Sequence, residues 1–121
     1  MPRPSIGRKV CCLPESTRFG PLDSSVNAQD AIILTVDEYE VIRLIDVEEL
    51  QQEACAQRMG VARSTVQLMY QQARKKIGEA IVNTRPLFIE GGNYRLYEEH
   101  ERTSACGPCH RLRCRGRRSN R

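Results

Sequence analysis

The spacing of hydrophobic and polar residues along this chain changes near residue 31. Before that point, Pro, Gly and Ser interrupt the pattern, and a short apolar piece at residues 10–13, closed by Pro14, is typical of a strand. After it, apolar residues recur every three or four positions, as they do on one face of a helix. We therefore predict an irregular N-terminal arm with one short strand over residues 1–30, and a helical domain over residues 31–85.

Three helices are predicted in the helical domain. The first, over about 36–48, begins at a capping box of Thr35 and Glu38 and leaves four polar residues outside its apolar stripe, namely Glu38, Glu40, Arg43 and Asp46. A short helix follows over about 52–58, and Gly60 supplies a turn at positive φ. The third helix, over about 63–82, has one continuous apolar face made of Val66, Met69, Tyr70, Ala73, Ile77, Ala80 and Ile81.

Residues 86–101 are predicted to form a β-hairpin, with strands at 87–90 and 94–97 around Gly91 and Gly92. A lone hairpin is marginally stable in water, and the strand at 10–13 is its expected partner. Residues 102–121 form a Cys- and Arg-rich tail with almost no apolar content. The predicted fold class is mainly α, a three-helical helix-turn-helix domain with a small β-hairpin or short sheet and an irregular tail.

The net charge of +4 conceals a segregation of charge along the chain. Residues 21–60 carry a net −7, residues 61–85 a net +4, and residues 102–121 a net +7. Such segregation can present a strongly positive face to an anion, although solvated faces also alternate in sign. No apolar run approaches the roughly eighteen residues of a membrane span, and residues 1–4 lack the apolar stretch typical of a signal peptide, so we expect none. We expect a cytoplasmic protein that does not enter the membrane.

Residues 52–71 are predicted to form a helix-turn-helix, in which one helix crosses the DNA backbone and the next enters the major groove. An ordinary helical hairpin is the alternative. The polar residues around the turn favour a DNA-binding helix-turn-helix over an ordinary helical hairpin. Side chains suited to base edges are Arg63, Ser64, Thr65, Gln67 and Gln71. Side chains suited to phosphates are Arg74, Lys75 and Lys76.

The segment also resembles known helix-turn-helix motifs in detail. The motif has a small residue, a turn glycine and apolar residues at fixed positions, and all seven positions fit in this chain. The small residue is Ala56, the glycine is Gly60, and the apolar residues are Cys55, Met59, Val61, Val66 and Met69. More widely, residues 1 to about 97 resemble the domain of unknown function 134 family of predicted DNA-binding proteins. The segments that carry this resemblance are 1–4, 8–11, 19–21, 34–40, 43–44, 59–61, 73–77 and 89–92.

The family resemblance implies a helix-turn-helix similar to region four of sigma factors, in a core of three or four helices. In sigma factors this region also meets RNA polymerase or activators, so the resemblance leaves a protein-binding role open. The family usually has Ser where Gln51 and Ala62 stand in this chain, before the second and third helices. Losing such a cap costs about 1 kcal/mol each.

Four candidate metal ligands lie within nine residues of the tail: Cys106, Cys109, His110 and Cys114. Thioredoxin-type redox chemistry at Cys-x-x-Cys needs a βαβ context, and haem attachment at Cys-x-x-Cys-His needs export of the protein. The sequence indicates neither a βαβ context nor export. A structural Zn²⁺ site fits the ligands best, with Cys106 and Cys109 as two ligands, Cys114 or His110 as the third, and Cys11 or Cys12 as the fourth. An iron–sulfur cluster on the same thiols is the alternative to Zn²⁺, and the interpretation without a metal is a reduced Arg-rich tail that grips phosphate. Disulfides are disfavoured by the expected cytoplasmic location.

Catalysis is not expected, because the chain has two His, both near the C-terminus, and no phosphate-cradling glycine loop. The leading hypothesis is a sequence-specific transcriptional regulator that binds double-stranded DNA. A homodimer is expected, because one helix-turn-helix reads only a few base pairs. One alternative is an adaptor that contacts RNA polymerase through the acidic residues 21–60. Another is a regulator that senses metal or redox state through the C-terminal cysteines.

Overall fold

A computed structural model describes residues 7–98 of the chain. In this range three α-helices accompany two small sheets, and more residues are helical than extended. The helices are α1 (Val36–Ile42), α2 (Gln52–Met59) and α3 (Arg63–Val82). The strands are β1 (Arg8–Val10), β2 (Arg18–Phe19), β3 (Ile32–Leu34), β4 (Leu87–Ile89) and β5 (Tyr94–Leu96), and a 3₁₀ turn covers Ala28–Asp30. No helix in the described range is both long enough and apolar enough to cross a membrane.

The three predicted helices are confirmed in position and order. The capping box at the start of α1 is also confirmed, since the Glu38 N–H donates to Thr35 Oγ1 at 3.4 Å and the Thr35 N–H donates to Glu38 Oε1 at 3.0 Å. The end of this helix differs from a plain α-helix. A π-helical turn over Arg43–Val47 continues it, and the Glu48 N–H donates to the Arg43 carbonyl at 2.8 Å.

Two groups of buried side chains hold these elements together. The first lies between α1, α2 and α3 and contains Val41, Leu44, Cys55, Ala56, Met59, Val66 and Met69. The second joins α1 and α3 to the strands and contains Val10, Leu34, Val36, Ala73 and Ile89. Helix α3 contributes to both groups and therefore connects the helical part of the fold to the sheets.

The prediction that the polar residues of α1 lie outside its packed face is wrong for three of them. Glu40 is fully buried, and Glu38 and Arg43 are nearly so. The Glu40 carboxylate accepts hydrogen bonds from the Cys11 N–H at 3.2 Å and from Arg43 Nε and Nη2 at 3.0 and 2.7 Å. A buried charge is tolerated when it is paired and hydrogen-bonded in this way. Periodicity misplaces these residues because it cannot see their partners.

The predicted β-hairpin is wrong, although both of its strands exist. Strand β4 lies in the middle of a three-stranded sheet, antiparallel to β2 and parallel to β3. Because both edges of β4 are occupied, β5 leaves that sheet and pairs in parallel with β1. The two strands therefore belong to two different sheets, and Gly91 and Gly92, both at positive φ, carry the chain between them.

The N-terminal arm also differs from the prediction. Its strand covers Arg8–Val10 rather than residues 10–13, because the Cys11 N–H donates to Glu40 and not to a neighbouring strand. The expectation that the N-terminal strand pairs with the predicted hairpin is confirmed for one of the two hairpin strands, β5. A second strand, β2, was not predicted, and its two residues give little pattern to detect.

The apolar face predicted for α3 is covered along only part of its length. Val66, Met69 and Ala73 are buried, whereas Ile81 near the end of the helix is 73% exposed. Packing against α1, α2 and β3 explains the buried part of the face. The last turns of α3 instead border a groove lined by Phe19 and Leu87.

Replacing Gly92 with Ala should destabilise the protein. Gly92 has φ of +100°, and a Cβ there would lie 2.5 Å from Asp37 Oδ1 and 2.7 Å from Thr35 Cβ. We expect the free energy of unfolding to fall by about 2 to 3 kcal/mol in urea titration. Gly78→Ala is the matched control, because Gly78 lies within α3 with open space around it. That change should raise stability by up to about 1 kcal/mol. Equal effects of the two changes would contradict the packing described for Gly92.

Candidate nucleic-acid interface

A three-residue connection, residues 60–62, joins α2 to α3. Gly60 ends α2 in the left-handed conformation, with φ of 71° and ψ of 38°. The next N–H, that of Val61, donates to the Ala56 carbonyl at 3.0 Å and closes the end of the helix. This is the glycine-terminated helix end that the sequence predicts.

The residues predicted to pack between α2 and α3 do so. Cys55 and Met59 are fully buried, Ala56 is 5% exposed, and all three pack with Val66 and Met69 of α3. Val61 in the connection is half-buried against the same group. The small side chains of α2 let the two helices approach closely, which fixes how α3 is presented to solvent.

The face of α3 that points away from this core is polar. Side chains three and four residues apart share a helix face, and the buried Val66, Met69 and Ala73 mark the inward side. Six of the predicted DNA-contacting residues are exposed: Arg63, Ser64, Gln67, Gln71, Arg74 and Lys75. We call these six residues the outer face of α3. Leu68, 56% exposed, lies beside them and was not predicted from sequence.

The charge of the outer face is positive. No acidic residue occurs in α3 before Glu79, and no ion pair in the described part of the chain engages Arg63 or Lys75. Both cations are therefore available to an external anion. A helix N-terminus adds partial positive charge at the Arg63 end.

Arg74 has neighbours of its own. Its guanidinium lies 5.3 Å from the centroid of the Tyr70 ring, and its Nε is 3.8 Å from Asp46 Oδ2. The Tyr70 hydroxyl donates to Asp46 Oδ1 at 2.8 Å, which raises the pKa of Tyr70. At 63% side-chain exposure, Arg74 is still open to solvent. Its pair with Asp46 is weak in geometry and screened by water.

Thr65 and Lys76 do not belong to the outer face. Both are half-buried on the side of α3 that faces α1. The Lys76 ammonium donates to Glu38 Oε1 at 2.7 Å, and the same oxygen accepts the capping bond from Thr35. Lys76 thus ties α3 to the start of α1. The phosphate contact predicted for it stays a prediction, and such a contact would compete with this ion pair.

A groove of about 600 Å³ runs along α3 between Ser64 and Gln72. Its other wall comes from the start of α1, from Arg8 and from the turn at Gly92 and Asn93. Arg8 Nη1 lies 2.6 Å from Asp37 Oδ2, while Asp37 Oδ1 is buried with no hydrogen-bond partner. No sequence pattern indicates this groove, because its walls come from segments far apart in the chain.

The predicted metal ligands are mostly outside the described residues. Cys106, Cys109, His110 and Cys114 lie there, so the Zn²⁺ and iron–sulfur hypotheses stay predictions. Cys11 is fully buried and disulfide-bonded, so the expectation that disulfides are disfavoured is wrong at this residue. A disulfide sulfur is not a thiolate ligand, so Cys11 could bind zinc only after reduction. Within residues 7–98, no group of three or more His, Cys, Asp or Glu side chains could hold a metal ion.

The sequence matches the family model described as "Protein of unknown function DUF134" over residues 1–97. It is 62% identical over 96 residues to a UPF0251 protein of Desulfitobacterium hafniense strain Y51, covering 79% of this chain and 77% of that protein. A UPF0251 protein of Thermoanaerobacter sp. strain X514 is 46% identical over 102 residues, with coverage of 84% and 90%. One of Moorella thermoacetica is 43% identical over 107 residues, with coverage of 88% and 72%. No solved structure matches the chain significantly.

Restoring a cap at the start of α3 should stabilise the protein. Ala62 and Gln51 precede α3 and α2 without a side-chain hydrogen bond to the helix. Ala62→Ser should raise the free energy of unfolding by about 1 kcal/mol, because a serine hydroxyl can accept a free N–H of the first turn. Thermal or urea unfolding measures the change, with Ala62→Val as the control that lacks the hydroxyl. A Ser variant no more stable than the Val variant would contradict the capping argument.

The Cys55 thiol should be inert in the folded protein. Burial raises its pKa from 9.0 to about 12, and the negative charge of Glu40 adds to the effect. The thiolate is the reactive form, so at pH 8 iodoacetamide should alkylate native Cys55 at least about a hundredfold more slowly than an unfolded thiol. Peptide mass spectrometry follows the reaction, and the urea-unfolded protein is the control. Rapid labelling of the native thiol would be inconsistent with its burial.

Proposed function

This chain belongs to the DUF134 family, also named UPF0251, and on that premise we propose that it is a DNA-binding protein. It reads sequence by placing α3 in the major groove, with α2 and α3 as a helix-turn-helix, and it acts as a transcriptional regulator. The family name assigns no activity. The proposal therefore rests on the chemistry of the described residues.

The outer face of α3 carries the proposal. A major groove admits one α-helix, and sequence is read there by hydrogen bonds from side chains to base edges. Arg63, Gln67 and Gln71 follow one another at four-residue intervals on this exposed face. Arg side chains pair with guanine edges and Gln side chains with adenine edges. One side of a single helix thus supplies the donors and acceptors that base readout requires.

Phosphate contacts would come from the cations beside these residues. Lys75 is exposed and takes part in no ion pair in the described region. Arg74 would exchange its weak contact with Asp46 for a phosphate. Such contacts supply much of the affinity of DNA-binding proteins and make it depend on salt.

The packing of α2 against α3 supports the same proposal. Close helix approach at Cys55 and Ala56, followed by the left-handed Gly60, gives the short turn found in helix-turn-helix units. The ion pair of Lys76 with Glu38 and the buried Met69 hold α3 against α1 from the opposite side. A recognition helix must be held rigidly for its side chains to reach base edges together.

A protein-binding function is the second candidate. Val47 is 66% exposed at the end of the π-helical turn, and Asp46 and Glu49 beside it are exposed acids. An apolar side chain surrounded by acids could contact a basic surface, such as one on RNA polymerase. The acidic segment is smaller as a surface than its sequence suggests, because Asp37, Glu38 and Glu40 are buried and all three take part in ion pairs or hydrogen bonds.

Selection from a pool of random DNA duplexes, with protein purified without oxygen, tests the proposed function. Arg63→Ala should weaken binding to the selected site by about 1 to 3 kcal/mol and relax the preference at one base pair. Lys75→Ala should weaken binding to all DNA sequences alike. It should also reduce the slope of log affinity against log salt concentration by about 1 in magnitude. The matched control is Arg18→Ala, which removes a cation that lies over the Phe88 ring in the sheet. It should change affinity by less than about threefold.

Three results would contradict the proposal. Unchanged binding by both the Arg63 and Lys75 variants would show that α3 does not dock as described. Equal losses from Arg18→Ala would indicate nonspecific electrostatic binding. Recovery of polymerase from nuclease-treated extract, with no retention of naked duplex, would favour the protein-binding function instead.

A further inference from the structure

An apolar patch lies at the C-terminal end of α3, opposite the end at which Arg63 begins the helix. It consists of Phe19, Ile77, Ile81 and Leu87, which line a groove of about 400 Å³, and of Leu22, which lies in the chain between two lining residues, Pro21 and Asp23. Phe19 is 49% exposed, Ile81 is 73% exposed, and Leu22 is completely exposed. Exposed apolar residues gathered in one place commonly mark an interaction surface.

We propose that this apolar patch is the interface through which two copies of the chain form a symmetric dimer. A two-fold interface places the same patch on both sides, so it must complement itself in shape and in charge. Large apolar side chains in the patch can meet their own counterparts across such an axis. The groove beside α3 gives the partner's Leu22 or Phe19 a place to insert.

The charges at the rim of the groove are self-complementary. Asp23 and Arg85 both line it, and neither forms an ion pair in the described part of the chain. Arg85 Nε donates to the Asp30 carbonyl at 2.8 Å, which holds the side chain in place at the rim. A two-fold axis through the patch would bring the Asp23 of each copy to the Arg85 of the other.

The chain's own tail is a poor occupant of the groove. Residues 102–121 contain seven Arg and a single large apolar residue, Leu112. Such a segment cannot fill an apolar groove with matching side chains. A second copy can, because it brings the whole apolar patch.

The position of the patch also fits the proposed function, on which this step of the argument rests. Ser64 and Ile81 are about 26 Å apart along α3, at a rise of about 1.5 Å per residue. Two helices that meet near Ile81 can therefore hold their outer faces up to about 50 Å apart, depending on the angle between them. DNA half-sites one helical turn apart need about 34 Å, which lies within this range.

Sedimentation equilibrium without DNA tests the interface over about 1 to 200 µM, a range that brackets weak specific association. The wild-type chain should dimerise, and Ile81→Lys and Leu22→Lys should each raise the dissociation constant at least about tenfold. The matched control is Val47→Lys, which adds the same charge at an exposed apolar residue away from the patch. It should dimerise like the wild type. Because Leu22 is fully exposed, Leu22→Lys should not impair folding, and it tests the interface even if Ile81→Lys does impair folding.

A charge exchange tests the rim. Asp23→Arg alone should weaken the dimer by repulsion, and combination with Arg85→Asp should restore the dissociation constant to within about threefold of wild type. A monomeric wild type at every concentration would overturn the proposal, as would a dimer that the patch variants leave intact. These results are independent of the DNA measurements. A dimer that binds no DNA refutes the proposed function alone, whereas a monomer that selects a single short site refutes the interface alone.

Discussion

The carboxylate of Glu40 is the constraint on which the rest of this structure depends. It is fully buried, and an unpaired charge at that position would cost several kcal/mol. Its partners come from two places in the chain: the Cys11 N–H at the end of β1 and the guanidinium of Arg43 one turn along the helix. Arg43 also reaches Glu48 at 3.3 Å, across the π-helical turn. Satisfying one buried acid therefore fixes the position of β1 against α1 and the shape of the end of that helix.

The neighbouring acids of α1 form ion pairs with α3 and with β1 of the two-stranded sheet. Glu38 pairs with Lys76 of α3, and Asp37 pairs with Arg8 of β1. Each acid thus binds a cation from a different segment, so α1 is the element to which the others are attached. The core between α1, α2 and α3 then turns one side of α3 inward and leaves its outer face in solvent. Because Asp37, Glu38 and Glu40 are buried and paired with cations, they add no exposed negative charge beside the surface proposed to bind DNA.

Much of the local structure could be predicted from sequence. Thr35 and Glu38 form the capping box, Gly60 ends α2 in the left-handed conformation, and the bounds of α3 agree with the periodicity. The exposed positions of the candidate site also follow from that periodicity, apart from Thr65 and Lys76. These two differ because α1 packs beside them and Glu38 binds the Lys76 ammonium. Helical periodicity separates the inner from the outer side of a helix, but it does not reveal which neighbour lies along its flank.

The sequence by itself determined the features that depend on residues close together in the chain: the helices, the capping box of α1, the glycine turn and the spacing of polar groups along α3. Only the tertiary structure decided how the strands pair. Strand β4 pairs with β2 and β3 along its two edges, and β5 pairs with β1 in the other sheet. The same is true of the burial of Glu38, Glu40 and Arg43, and of the apolar patch at the end of α3. Helix formation uses hydrogen bonds between residues four apart, which a local pattern records. Strand partners, and contacts such as Lys76 with Glu38 or the Cys11 N–H with Glu40, join residues tens of positions apart, and no local pattern specifies them.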